Sequence, residues 1–145
     1  MQRLEPRELS YDGVHCSLSI EQYPQNIVVL RIRGTDVGEF GQAPMHALTE
    51  WLTGKASVEF FIDARDVRGA SVEVSGEWAQ WLSKHKKKLR SVTMLTGSRF
   101  IRITAEFVRR FSSLEGIMQI CTEPEVFDKV LGDALSPVRP TFRVN

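Results

Sequence analysis

The chain has little with which to staple, anchor or arm itself: two cysteines, three histidines, and no apolar run near the roughly 18 residues that cross a bilayer. Cys16 and Cys121 each stand alone in an apolar, strand-like stretch with no Cys-x-x-Cys spacing, so neither a disulfide framework nor a thiolate metal site is expected. They read as buried free thiols. His15, His46 and His85 share no motif. The metal spacing His-Glu-x-x-His, the phosphate loop Gly-x-x-x-x-Gly-Lys-Ser/Thr and the nucleophile elbow Gly-x-Ser-x-Gly are all missing. Catalysis is therefore the weakest reading, with no cofactor and no metal expected. A Cys121 nucleophile beside His15 stays open on sequence alone, but it would need an exposed, electropositive thiol rather than a buried one.

A surplus of charge is missing too. Lys and Arg total 19 against 18 Asp and Glu, a net charge of +1, which removes any whole-molecule argument for a nucleic-acid partner. The opening residues Met1-Gln2-Arg3-Leu4-Glu5-Pro6-Arg7-Glu8 mix charge and proline where a secretory leader needs an apolar core, so the expected location is cytoplasmic. What is present is ordinary globular composition: 145 residues, 42% hydrophobic and 26% charged, enough for one domain. A chain of this length buries roughly two-thirds of its unfolded surface and holds a core without staples.

Periodicity orders that core. Cys16 to Glu21 alternates as a half-buried strand, Pro24-Gln25-Asn26 turns, and Ile27 to Arg33 is a β-branched second strand, the two forming a hairpin that Gly34 ends. After a glycine-containing loop, Pro44 suits the first turn of a helix that turns Met45, Leu48 and Leu52 inward, and Gly54 stops it. Ser57 to Asp63 is a third strand with an apolar centre, fit for cover on both faces, and Asp63 ends it where α/β sheets place their sites. After a charged loop, Ser75-Gly76-Glu77-Trp78 opens a second helix with Trp78, Trp81 or Leu82, His85 and Leu89 at helical spacing on one face. Ser91 to Thr96 is a fourth strand. Phe100, Ile103, Phe107 and Phe111 then mark the inward face of a third helix, the length of the pattern deciding against a strand. Gly116 to Cys121 is a fifth strand. Thr122-Glu123-Pro124-Glu125 has capping-box spacing before a last helix that buries Val126, Phe127, Val130, Leu131 and Leu135.

The order β-β-α-β-α-β-α-β-α calls for an α/β fold, one mixed sheet with helices packed on it. It resembles the STAS domain, the fold of the anti-sigma-factor antagonists and of lipid-carrier-like relatives. The likeness runs over residues 16–135, leaving 1–15 as a loose amino-terminal arm and 136–145 as a tail. In the antagonists the start of the second helix carries Asp-Ser-Ser/Thr-Gly, whose first hydroxyl is phosphorylated by a partner kinase. Here Glu73-Val74-Ser75-Gly76 takes that place, with Val74 at the modified position, so a modified hydroxyl would fall to Ser71 or Ser75. A helix start stabilises a phosphate through free backbone donors and the positive dipole end, while Ser75 would equally serve as a simple N-cap.

Charge clustering is more informative than the total. Between residues 84 and 110 lie nine bases (Lys84, Lys86, Lys87, Lys88, Arg90, Arg99, Arg102, Arg109 and Arg110) against the single acid Glu106. The helix dipole accounts for some of them at the end of the second helix. The run reads either as a solvated face or as a docking flank for an acidic protein, an anionic membrane surface or lipid, or RNA. Aromatics interleaved for base stacking would favour RNA, but Trp78, Trp81, Phe100, Phe107 and Phe111 are expected on the inward faces, as core. The resemblance implies a non-enzymatic regulatory module that binds a protein partner, a regulator or kinase, in bacterial signalling, with or without the phosphoserine switch. The surface expected to do so comprises Asp63, Arg65, Asp66, Ser71, Ser75 and Gly76. The alternative is a carrier or sensor of a small apolar ligand or lipid, its wall made by the aromatic-rich second and third helices.

Overall fold

The computed structural model describes residues 6–136. Six strands form one sheet in the sequential order β1-β2-β3-β4-β5-β6: β1 (Arg7–Asp12), β2 (Cys16–Tyr23), β3 (Ile27–Asp36), β4 (Val58–Ala70), β5 (Leu89–Thr96) and β6 (Met118–Cys121). β1–β2 and β2–β3 pair antiparallel, and the later pairs are parallel. Helices α1 (Ala43–Leu52), α2 (Val72–Lys84), α3 (Arg99–Phe111) and α4 (Pro124–Leu135) alternate with the parallel strands, and a 3₁₀ turn, Lys86–Lys88, follows α2. The mixed α/β architecture and the hairpin closed at Asn26, whose φ of 64° suits a turn asparagine, are as the periodicity predicts.

The stepwise strand order sends successive right-handed crossovers over one face of the sheet. Accordingly α1, α2 and α3 share one core: Leu18, Ile20, Val28, Leu30, Phe60 and Ile62 from the strands meet Met45, Leu48 and Leu52, then Ala79, Trp81 and Leu82, then Val108. Trp81 anchors α2 there, its ring edge on Phe60 and its indole N–H donating to Thr49 Oγ1 at 2.9 Å. On the opposite face α4, alone among the described elements, covers Ile27, Val29, Phe61, Leu95 and Cys121 with Phe127 and Leu131. Both cysteines are buried and free.

Five expectations change. The second helix ends at Lys84, and Leu89, expected on its inner face, is instead the first residue of β5. Residues 7–12, placed in a loose arm, form β1, an added edge strand whose alternating Leu9 and Tyr11 pack on the core. The predicted tail lies outside the described residues apart from residue 136. The charged stretch after Asp63 is not a loop but the second half of β4, because β3 runs on to Asp36 and gives residues 66–70 a paired neighbour. The capping box at Thr122 does not form: Pro124 takes the first helical position, which moves the cap to Glu123, without a side-chain bond. α4 leaves Val126 exposed.

Candidate functional site

The long β3–β4 pair ends in a small platform. Asp36 and Ala70 are register partners, and the Ser71 backbone N–H donates to the Asp36 carbonyl at 2.9 Å, so the chain segments leaving both strands are held side by side. Asp36 is buried and its Oδ1 accepts from the Gly38 N–H at 3.0 Å, an Asx turn that starts the β3–α1 loop. Gly38, with φ of 87°, continues that turn in the left-handed region. Ser71 is the N-cap of α2, its Oγ accepting from the Val74 N–H at 3.1 Å. The expected cap, Ser75, instead lies one turn inside α2, half-buried, its N–H bonded to the Ser71 carbonyl. Extra strand length in β4 explains the shift: Ala70 still pairs with β3, so the helix starts directly behind it. Gly76 is half-buried on the same helix, and two apolar side chains, Val37 and Val72, each one residue beyond the bonded Asp36–Ser71 pair, are exposed.

Asp63 takes no part in that platform. It points to the α4 face, buried, where Oδ2 accepts from Arg31 Nη1 at 2.7 Å and Oδ1 accepts from Arg65 Nε at 3.0 Å. Arg65 reaches on to Asp128 of α4 at 2.6 Å, and Arg31 to Glu21 of β2 at 3.0 Å. Hydrogen bonds to Asp128 and then Asp63 raise the Arg65 pKa further above its ordinary value. Burial works against the charge on Arg31, but the bonds and charges of Glu21 and Asp63 outweigh it and raise its pKa as well. The five side chains form a structural clamp across β2, β3, β4 and α4. Asp66 is exposed, with Arg33 as its register partner.

The basic run divides between several places. Lys84, Lys86 and Lys87 are exposed where α2 ends, at the amino-terminal side of the parallel strands, while Lys88 Nζ donates to the Leu52 carbonyl at 3.0 Å. Arg90 pairs with Glu59. Arg99 and Arg102 are exposed at the opposite end, beside the Ser98 cap of α3, and Arg109 pairs with Glu106, leaving Arg110 exposed. The α3 aromatic face is the plainest correction: Ile101, Ala105 and Val108 are buried, and Phe100, Ile103, Phe107 and Phe111 face outward. His15 precedes β2 and Cys121 closes β6, four strands away at about 4.8 Å per strand. They do not meet.

Between the sheet, α2 and α3 lies a cavity of about 90 Å³ with an apolar wall that includes Ile62, Val67, Trp78, Met94 and Ile101, its polar lining residues being Asp36, Ser75 and Thr104. Of the residues that build these places, Asp36, Arg31, Glu21 and Asp128 escaped the sequence reading. Asp36-Val37-Gly38 carries an Asx-turn signal in plain view, whereas nothing local links Arg31 to Asp63 across a crossover.

No described helix is long and apolar enough to cross a membrane. The sequence matches no family model and no curated protein. In structure the chain is similar to an uncharacterized protein of the DUF3478 family with a SpoIIAA-like fold from Shewanella loihica PV-4, at 15% identity and a TM-score of 0.60, over 83% of this chain and 98% of that one. It is also similar to the anti-sigma factor antagonist SpoIIAA in its unphosphorylated form, at 19% identity and a TM-score of 0.50, over 79% of this chain and 96% of that one. Sheet order, the three-helix face and these two likenesses agree on one conclusion: the chain has the SpoIIAA-like, STAS-type fold.

Proposed function

We propose that the chain is a non-enzymatic regulatory module that binds a protein partner, a regulator or kinase, through the platform where β3, β4 and the start of α2 meet. The observation that carries this reading is the exposed Val37 and Val72, which directly follow Asp36 and Ser71 on two segments held together by the Ser71–Asp36 backbone bond. Two exposed valines on joined strand ends offer apolar contact, and the Ser71 hydroxyl next to Val72 in the chain offers a switch. A phosphate on Ser71 would give up the bond that Oγ now accepts from Val74 N–H but face the same free donors at the helix start, with Glu73 opposing it from the first turn. Ser75 is half-buried against the cavity, a poorer host. The likeness to an anti-sigma factor antagonist supports the regulatory class. Affinity capture with Val72→Asp and Val37→Asp as controls tests the reading: a partner lost on both changes supports it, and partners indifferent to both overturn it. Intact-mass measurement of protein from its native cells, with Ser71→Ala beside it, tests the switch separately.

A second reading, a sensor of a small apolar molecule, is favoured by the cavity under α2 and α3. Its size limits the ligand. At about 90 Å³ it is smaller than the roughly 150 Å³ apolar cavity that holds benzene, so a lipid chain would enter only if the two helices part. Native mass spectrometry of the purified chain separates the readings: a bound apolar adduct supports the sensor, and a bare mass leaves the platform as the working surface.

A further inference from the structure

α3 is apolar over more than half of its circumference, yet the sheet uses only one side of that arc. Ile101, Ala105 and Val108 are buried, while Phe100, Ile103, Phe107 and Phe111 are 60, 60, 54 and 57% exposed. The four outward residues fall at i, i+3, i+7 and i+11, a stripe about three turns long. Phe107 and Phe111 stack with ring centroids 5.7 Å apart. With about 200 Å² for a fully exposed side chain of this size, the stripe presents on the order of 450 Å² of apolar surface, as large as the largest patch of a typical monomer. Arg99, Arg102 and Arg110 are exposed on the same helix, and its one acid, Glu106, is paired with Arg109. Lys84, Lys86 and Lys87 add positive charge at the end of the sheet where α3 also finishes.

We propose that the outward face of α3 docks on an anionic lipid surface, its four large side chains below the headgroups and the flanking arginines on the phosphates. A helix with an aromatic apolar face and an arginine-rich polar face has the composition that lies in the plane of a membrane interface. The stripe is a ridge on one helix, and lipid conforms to a ridge without needing a matching groove. A second copy of the chain fits less well. The stripe supplies little more than half of the roughly 800 Å² per partner of a stable interface. An isologous pairing of α3 with itself would also set Arg99 and Arg102 of one copy against Arg110 of the other. The proposal does not use the α2 platform, so either can fail alone.

The test is co-sedimentation of the full chain with vesicles of phosphatidylcholine and of a phosphatidylcholine–phosphatidylglycerol mixture, alongside light scattering without lipid. Expected is binding to the mixed vesicles that high salt releases, with little on the neutral ones. Phe107→Asp should lower that binding about tenfold and Arg102→Glu severalfold, at unchanged thermal midpoint, since both side chains are exposed. Failure to sediment with the mixed vesicles overturns the proposal. So does equal binding to both vesicles or by Phe107→Asp, or a dimer in solution that Phe107→Asp dissociates while no vesicle binds.

Discussion

Arg31 Nη1 donates to Asp63 Oδ2 at 2.7 Å across the parallel β3–β4 pair, at the position where the two residues are direct register partners. A buried carboxylate in mid-sheet is costly unless its lone pairs are filled, and here Arg31 and Arg65 fill both oxygens. Asp63→Ala should therefore destabilise the fold by about 2 kcal/mol, less than the largest values for broken buried pairs, because Arg31 keeps Glu21 and Arg65 keeps Asp128. Urea unfolding measures it. A change below about 0.5 kcal/mol would mean that the clamp contributes nothing net, the usual result for an exposed pair.

The two serines at the start of α2 have separable roles. Ser71→Ala removes the cap that accepts from Val74 N–H and should cost about 1 kcal/mol. Ser75→Ala breaks no side-chain hydrogen bond, gains helix propensity and should be neutral or stabilising by a few tenths of a kcal/mol. Paired thermal melts decide it, and a larger loss at residue 75 than at residue 71 would move the helix start back to where the sequence pattern put it.

How much of this was legible depends on whether the deciding partner is local. The hairpin, α1 with its Pro44 start, and the buried alternation of β2 follow from period and turn chemistry within one segment. The apolar arc of α3 is legible as a helix but not in its orientation: spacing selects the three phenylalanines with Ile103, while the sheet takes Ile101, Ala105 and Val108, a face without an aromatic ring that lets the helix approach closely. Residues 66–70 look like a loop because Asp66, Arg68 and Gly69 interrupt the apolar run, and become strand only because β3 is long enough to pair with them. The same holds for the site. Ser71 was among the candidate hydroxyls, but its cap position and its bond to Asp36 depend on where that pairing stops.

Gly97 joins β5 to α3 where the backbone of β4 comes very close. A Cβ built there would lie 2.0 Å from the Arg65 carbonyl oxygen, a fixed backbone atom that no rotamer change can clear. Gly97→Ala should cost about 2–3 kcal/mol by displacing the β4–β5 register or the start of α3. Gly116→Ala, with nothing within 4 Å of its added Cβ, is the control and should change stability by under about 0.5 kcal/mol. Equal effects from the two would show that the close approach relaxes at no cost.

The two thiols give a prediction in pH. Burial, then the charges of Asp36 and Glu39, push Cys16 up from 9.0 to about 11, and burial raises Cys121. A raised value in the folded chain means that the native state keeps its proton after the unfolded chain has lost it. The contribution to stability is thus complete below pH 9.0 and fades as pH rises toward about 11. At pH 8 neither native thiol should react with a disulfide reagent over minutes, and both should react in denaturant. In a Cys121→Ser background, the rate of Cys16 alkylation should still be climbing above pH 10, and replacing Cys16 by Ala should flatten the alkaline loss of stability. Fast reaction of Cys121 at neutral pH would contradict its burial and restore the nucleophile that its distance from His15 otherwise leaves without a base.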